Sequence, residues 1–591
     1  MKRRQLLKGL AAILALAPFP PAWAAPFRRV RPGDAGWPTA QDWEYLKSQV
    51  GGNLVKPADL FSTCMAGAKD ADCAAATKEI GNPYFIGDQA GGTQVSGWLN
   101  AWSPRPSAYA VAAHSADDMV AAVNFARAHK LRLAVKGGGH SYQGTSSAPD
   151  SLLIWTRPMH AITLHDAFVP EGSSDAPVPA VTIEAGAMWV DAYDAVTTKA
   201  HRYVQGGGCM TVGVAGLIQS GGFGSFSKRY GTAASNLLQA EMVTADGKLR
   251  TVNARRDADL FWGLKGGGGG SLGVVTKVTL KTHDLPERFG FVGCKISART
   301  AEDFRRLLAR FVDFYADALF NPHWGEGVTF GENILDISMV SQGLSTEEVR
   351  ATWKPFLDWV AQDTAFSADP RISTDHAFSY WDVQAMRKSG SHAVMFDDRP
   401  GANPAHGWWN GDEEQVGMFL YGYDSLWLPR SLLEPGARSE LTDALVEASR
   451  RMLIRLHFNK GLAGGTPEAI AAARDTATNP KVMEAFCLAI IATGGASRYP
   501  GLKKPDDAAK AASDAKNVDQ ATAILRTIAP DAGSYVSESN FFNANWGREF
   551  WGAHYPRLKA VKAKYDPDGL FTVHHGVGSE AWSDDGFTRA G

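Results

Sequence analysis

The residues able to do chemistry lie at glycine-rich turns. One such turn, Lys136-Gly137-Gly138-Gly139-His140-Ser141-Tyr142-Gln143-Gly144, follows an apolar run from Leu131 to Val135. Glycine reaches positive φ and lets a ligand approach the main chain. Successive N–H groups in such a loop can hold phosphate oxygens. His140 sits where this loop ends, and a second glycine stretch, residues 206 to 213, contains Cys209. Taken singly, His140 reads equally well as a loop histidine capping backbone groups, and Cys209 as a packed thiol. A second group of polar side chains lies far along the chain. His457-Phe458-Asn459-Lys460 follows a strand-like run, and Glu538 falls within Tyr535-Val536-Ser537-Glu538-Ser539-Asn540. With Gln219, the residues His457, Lys460 and Glu538 are the candidates for a general base or a hydroxyl-polarising group. That role requires reach to the substrate and a pKa near the working pH. No metal-ligand spacing is evident.

The elements needed to position these residues can be read from periodicity. Ser115, with Asp117 and Asp118 after it, caps a helix running to Lys130. Strands are expected at 110–113, 131–135, 152–155, 180–184, 237–243, 249–252 and 274–282, and helices at 190–199 and 257–262. From about residue 288 glycine thins and Trp and Phe rise. Helices are expected there at 301–319, 345–364, 480–491 and 506–528, and strands at 416–423 and 452–458. The expected organisation is a leader (1–24), an N-terminal extension wrapping the first domain (25–103), a glycine-rich domain (104–286), a substrate domain (287–532) and a closing segment (533–591).

The 591 residues, 45% hydrophobic and 21% charged, are globular in character. A formal net charge of −2 gives no basic excess, so nucleic acid is not an expected partner. Lys2, Arg3, Arg4 and Lys8, then a short apolar run and Ala22-Trp23-Ala24, have the form of a cleaved export signal. The run Arg3-Arg4-Gln5-Leu6-Leu7-Lys8 matches a twin-arginine signal, so the twin-arginine machinery is the expected partner in export. A periplasmic or secreted protein is expected, with no stable membrane span, because the apolar run is too short. In an oxidising compartment Cys64 and Cys73 are placed to form a disulfide. Cys294 and Cys487 lie in apolar surroundings and read as inert thiols.

Five stretches in order carry a resemblance: Gly137 to Gly144, Cys209-Met210-Thr211-Val212-Gly213-Val214-Ala215-Gly216, Ser220-Gly221-Gly222-Phe223-Gly224, Asp259 to Gly269, and Lys564-Tyr565-Asp566-Pro567-Asp568-Gly569-Leu570-Phe571. Together they resemble flavoproteins of the vanillyl-alcohol oxidase superfamily, in the berberine-bridge-enzyme-like branch. Residues 29–73 and the stretch from Asn545 to Gly552 are similar to fungal proteins described as isoamyl alcohol oxidases. The resemblance implies an α+β fold: a two-subdomain FAD-binding domain of the PCMH type, an α/β substrate domain with an antiparallel sheet, and a C-terminal segment returning to the first domain.

It also implies FAD held by two covalent bonds, from His140 to the 8α carbon and from Cys209 to carbon 6. An imidazole nitrogen and a thiolate are suited to add to an electron-poor ring. Lys136, Gly137, Gly138, Gly139 and Ser141 would bind the pyrophosphate side. Val212, Gly213, Gly216, Gly221, Gly222, Gly224 and Val274 would line the ring and adenosine walls. In the family the residue at Val212 gates oxygen, and a small valine goes with oxidases, so O2 is the expected acceptor for an alcohol or sugar substrate. A dehydrogenase passing electrons to a quinone or cytochrome is the alternative. The catalytic base departs from the family pattern. Phe223 stands where many relatives have tyrosine, and Ser537 where they have asparagine, which leaves a non-catalytic flavin- or carbohydrate-binding protein as a reading of another class.

Overall fold

A computed structural model describes residues 27–65, 71–502 and 507–590. The export signal expected at 1–24 lies outside these residues. Among the described residues no helix is long and apolar enough to cross a membrane.

The glycine-rich region folds as two sheets. In the first, the strands Tyr109–Ala112 and Arg132–Lys136 both pair in parallel with Ser151–Trp155. The helix Ala116–Ala128 packs against them, its Ser115 cap closed by Asp118 in a reciprocal capping box. The second sheet is antiparallel. Val274–Asp284 lies between Leu237–Val243 and Val178–Glu184, with Leu249–Asn253 and Ile162–Phe168 outside them. Ile162–Phe168 was not expected; its face is largely exposed, so it lacks the apolar alternation that marks a strand. The helix expected at 190–199 begins as Trp189–Tyr193 and continues as a π-helical turn, Asp194–Lys199.

The region after residue 288 is built on a seven-stranded antiparallel sheet. Helices Ala301–Phe314, Thr346–Gln362, Arg438–Ser449 and Ala508–Ile528 pack over one face, with Phe311, Trp353, Leu445 and Leu525 in a single buried cluster. The helix expected at 480–491 is only a 3-10 turn, Pro480–Met483, followed by a strand, Ala485–Gly495, between Ile454–His457 and Phe419–Pro429. The run Ala485-Phe486-Cys487-Leu488-Ala489-Ile490-Ile491 is buried throughout. A strand covered on both faces shows no alternation and cannot be told from a buried helix by periodicity. The strand expected at 416–423 likewise begins later, at Phe419, and runs to Pro429.

The extension before residue 103 touches both regions. Its helix Ala40–Gln49 stacks Trp43 on Tyr109 at 3.9 Å, while the Ser96 amide donates to the Met418 carbonyl at 2.8 Å. Cys64 and Cys73 form a disulfide, and Cys294 and Cys487 are free and buried. The C-terminal segment returns to the glycine-rich region: Trp551 Nε1 donates to the Gly266 carbonyl at 2.9 Å, within the turn ahead of Val274–Asp284.

Trp353 is fully buried between the sheet and its helices. Trp353→Ala should lower stability by about 3–5 kcal/mol. A urea unfolding midpoint unchanged from wild type would show that this core is not the one holding the sheet.

Candidate active site

The two glycine loops are joined back to back. A Cβ on Gly138 would lie 2.9 Å from the Gly213 nitrogen, and a Cβ on Gly213 would lie 2.9 Å from the Gly138 nitrogen. Only glycine at both positions permits this approach. The contact brings His140 and the Cys209 loop together: His140 Nε2 is 3.0 Å from Thr211 Oγ1, and Cys209 Sγ is 3.6 Å from the same oxygen.

These loops form one wall of a cavity with ≈ 260 Å³ of space for water-molecule centres. Of the expected cofactor residues, Gly137, Gly138, Gly139, His140, Ser141, Val212, Gly213 and Gly216 line it. Gly268, Gly269, Trp551 and His575 line the other end, and Tyr535 and Glu538 come in from the C-terminal segment. Four buried polar atoms of lining residues have no hydrogen-bond partner: Gln143 Oε1, Ser146 Oγ, Tyr535 OH and His575 Nδ1. Unsatisfied buried groups are costly, and a polar ligand with phosphate, ribose and ring groups would satisfy them. The residues present therefore fit FAD.

Six of the expected cofactor residues are placed otherwise. Cys209 does not line the cavity and stands beside it, 3.6 Å from the Thr211 hydroxyl. The Lys136 ammonium does not reach the cavity; it donates to the carbonyls of Ala90 at 2.9 Å and Gly92 at 3.0 Å, and also to that of Gln89. Burial lowers its pKa to about 7. It staples the segment 89–92 beneath the loop. Val274 packs into the hydrophobic core, and its neighbour Val275 faces the cavity, the one-residue inversion that strand alternation imposes. Gly221, Gly222 and Gly224 lie behind the cavity. Gly221 and Gly222 have φ of 104° and 74°, and a Cβ on Gly224 would meet the Gly206 carbonyl oxygen at 1.7 Å.

The candidate bases separate into distinct environments. Glu538 lines the cavity, and Lys460 Nζ donates to both its carboxylate oxygens at 2.6 Å. His457 does not line the cavity. Its Nδ1 is buried without a partner, and burial, with Lys460 and Arg455 nearby, holds its pKa well below the usual histidine range. Gln219 lines the cavity; its side-chain NH2 donates to the Ala215 carbonyl at 3.1 Å, and its backbone carbonyl accepts from the Gly268 amide at 2.8 Å. Its backbone thereby holds the glycine turn at Gly268.

Further residues stand near this wall, of which only Tyr142 lies within a motif. Tyr142 lies 5.1 Å from Tyr423, ring to ring, and its hydroxyl donates to Gln415 Oε1 at 2.9 Å. Asp412 and Glu326 flank the Cys209 loop. Trp409 Nε1 donates to the Gly208 carbonyl at 2.9 Å, and Glu326 hydrogen-bonds Ser225. Burial raises the pKa of both carboxyls.

Comparison with known proteins agrees with this geometry. Residues 106–253 match a family model described as an FAD binding domain, and residues 533–578 one described as berberine and berberine like. A VAO-type flavoprotein oxidase of Thermothelomyces thermophilus is 29% identical, over 96% of this chain and 95% of its own. An FAD-linked oxidoreductase of Aspergillus versicolor is 28% identical, over 99% and 94%. The solved structure of a VAO-type flavoprotein from Myceliophthora thermophila superposes with a TM-score of 0.77 at 26% identity, covering 95% of this chain and all of that one. Glucooligosaccharide oxidase from Acremonium strictum, described with a 6-S-cysteinyl, 8α-N1-histidyl FAD, shares the fold at a TM-score of 0.63 and 19% identity, over 86% of this chain and 98% of its own.

Gly138→Ala should drive the two loops apart and empty the cavity. The FAD bound per chain, read from the visible absorbance of the purified protein, is expected to fall about tenfold or more. Full flavin content in this variant would contradict the back-to-back packing.

Proposed function

We propose that this chain, an FAD-linked oxidoreductase of the vanillyl-alcohol oxidase and berberine-bridge type, oxidises a hydroxyl-bearing carbon of an alcohol or sugar. We further propose that O2 takes the electrons to give H2O2, and that FAD is held through both His140 and Cys209. The observation that supports this reading is the convergence of His140, which lines the cavity, and Cys209 on the Thr211 hydroxyl beside it. Bound FAD supplies the two-electron acceptor for the hydride leaving the substrate.

The protein's own part is to hold the substrate and move a proton. Glu538 is the proposed base: it reaches the cavity, and its ion pair with Lys460 holds it in place. Lys460 acts as its positioning partner. Tyr535 presents an unpartnered hydroxyl to the same cavity, with its ring packed edge-on against Phe223 at 5.2 Å, so it can orient the substrate oxygen. His457, neutral beside Lys460, offers a hydrogen-bonding imidazole behind this pair. Val212 leaves room for O2 on the opposite wall. Several structural neighbours are named for oxidation of oligosaccharides, so sugars belong beside simple alcohols in any substrate panel. Export by the twin-arginine route to the periplasm or beyond suits the disulfide between Cys64 and Cys73.

The test is anaerobic mixing with a panel of alcohols and sugars, read by bleaching of the flavin. At least one member should reduce it, and failure of every member would favour a non-catalytic binder. With that substrate, Glu538→Gln should slow flavin reduction by about 10²–10⁴-fold while FAD content stays unchanged. Reduction at the wild-type rate would remove Glu538 from the role. Val212→Leu should slow reoxidation by air and leave reduction intact; if wild-type reoxidation is already slow, the acceptor is not O2.

A further inference from the structure

Thr211 belongs to no catalytic or phosphate-binding motif, yet its hydroxyl is the one group that touches both proposed attachment residues. Its oxygen lies 3.0 Å from His140 Nε2 and 3.6 Å from Cys209 Sγ, and the residue is 1% exposed. We propose that Thr211 is the positioning residue for both flavin bonds. Its hydroxyl accepts from Nε2–H of His140, leaving Nδ1 as the bonding nitrogen, and donates to the sulfur of Cys209. This rests on the two-bond reading given above.

The assignment follows from the hydrogen-bond inventory. A hydroxyl has one proton to donate and two lone pairs to accept with. If it donated to Nε2, the ring proton would sit on Nδ1, and the sulfur would lose its donor. The reverse arrangement serves both residues at once. The Thr211 backbone also acts on the imidazole, favouring its protonated form. This fits a ring N–H turned toward Thr211, because a carbonyl only accepts. Burial lowers the His140 pKa to about 4, so the imidazole is neutral and its free lone pair available at ordinary pH. Cys209 is the opposite case. Burial and Asp412 push its thiol up, and the Thr211 backbone and hydroxyl pull it down. Of the groups acting on this thiol, Thr211 is the one that favours the thiolate, which is the nucleophilic form. Its branched side chain has few rotamers, and its carbonyl lies 3.2 Å from where a Gly138 Cβ would be, so the loop contact holds the hydroxyl in place.

Each attachment replaces one C–H of the flavin and one N–H or S–H of the side chain with a C–N or C–S bond. The two protons and two electrons released per bond reduce O2 to H2O2, the same acceptor proposed for turnover. At His140 the side-chain proton lost is the one on Nε2, which rests on the Thr211 hydroxyl. At Cys209 it is the thiol proton, and the Asp412 carboxyl interacts with that thiol.

The experiment compares wild type, Thr211→Val and Thr211→Ser as full-length proteins. Proteolysis and mass spectrometry give the fraction of His140 and Cys209 peptides carrying flavin, beside the total FAD of the undigested protein. Thr211→Val should lower attachment at both residues by about tenfold or more while FAD remains bound, and Thr211→Ser should restore it. Should Thr211→Val also lose its FAD, Thr211→Ala against Thr211→Ser isolates the hydroxyl in two smaller side chains. Wild-type attachment at either residue in the variants lacking a hydroxyl overturns the shared role, as does failure of serine to rescue. A wild-type protein with no flavin on either peptide overturns the two-bond reading itself, an outcome distinct from any result in the variants.

Discussion

The close approach of Gly138 to Gly213 is the contact on which the cofactor wall depends. Two loops separated by about seventy residues meet with no side chain between them, because a Cβ on either would sit at 2.9 Å from a backbone nitrogen of the other. The glycines are therefore a packing requirement before they are a phosphate cradle. His140 follows one loop by two residues and Thr211 precedes the other contact by two, so their separation is set by backbone geometry. Flexible side chains do not have to find each other.

Buried cations fix the ground behind this contact. Lys136 binds carbonyls of residues 89–92. Lys228 binds the carbonyls of Gly461 at 2.9 Å, Ala463 at 2.6 Å and Phe486 at 3.1 Å, across the boundary between the glycine-rich region and the seven-stranded sheet. Burial lowers the pKa of each to about 7. An ammonium is costly to bury unless its protons are all accepted, and here each meets three carbonyls. The same loop carbonyls would otherwise lie buried without donors. Removing either lysine would strand three acceptors at once, so the lysines add to the apolar packing that already joins the two regions.

The cofactor side of the site was legible in the sequence because its residues lie in short runs with glycine at fixed offsets. His140, Ser141, Val212, Gly213 and Gly216 all reach the cavity. Lys136 was misplaced because a lysine beside a glycine loop looks the same whether it faces phosphate or the interior. Val274 was one residue out, since the pattern shows a strand and not which face meets the ligand. The substrate side was much less legible. Tyr142 and Tyr535 lie in stretches the sequence singled out, but Glu326, Asp412 and Arg455 come from separate elements that meet only in the fold. The misread helix at 480–491 had the same origin: a strand covered on both faces carries no period, and that strand is the one against which Ile454–His457 is registered.

The substrate wall gathers three carboxyls with unlike surroundings. Glu326 is buried and its pKa raised, with a Ser225 hydrogen bond and the more distant Lys460 opposing that shift. Asp412 is also raised by burial, with Cys209 and Arg455 opposing. Glu538 alone has a cation on both oxygens. Burial thus shifts two of these carboxyls, while the third is held by an ion pair. The single lysine goes to the carboxylate that reaches the cavity, and the other two are driven toward the neutral form beside Cys209. A charged carboxylate next to that sulfur would oppose its thiolate. The same burial that makes Glu326 and Asp412 costly as anions therefore leaves the surroundings of Cys209 less negative, while Glu538, paired with Lys460, lies at the cavity.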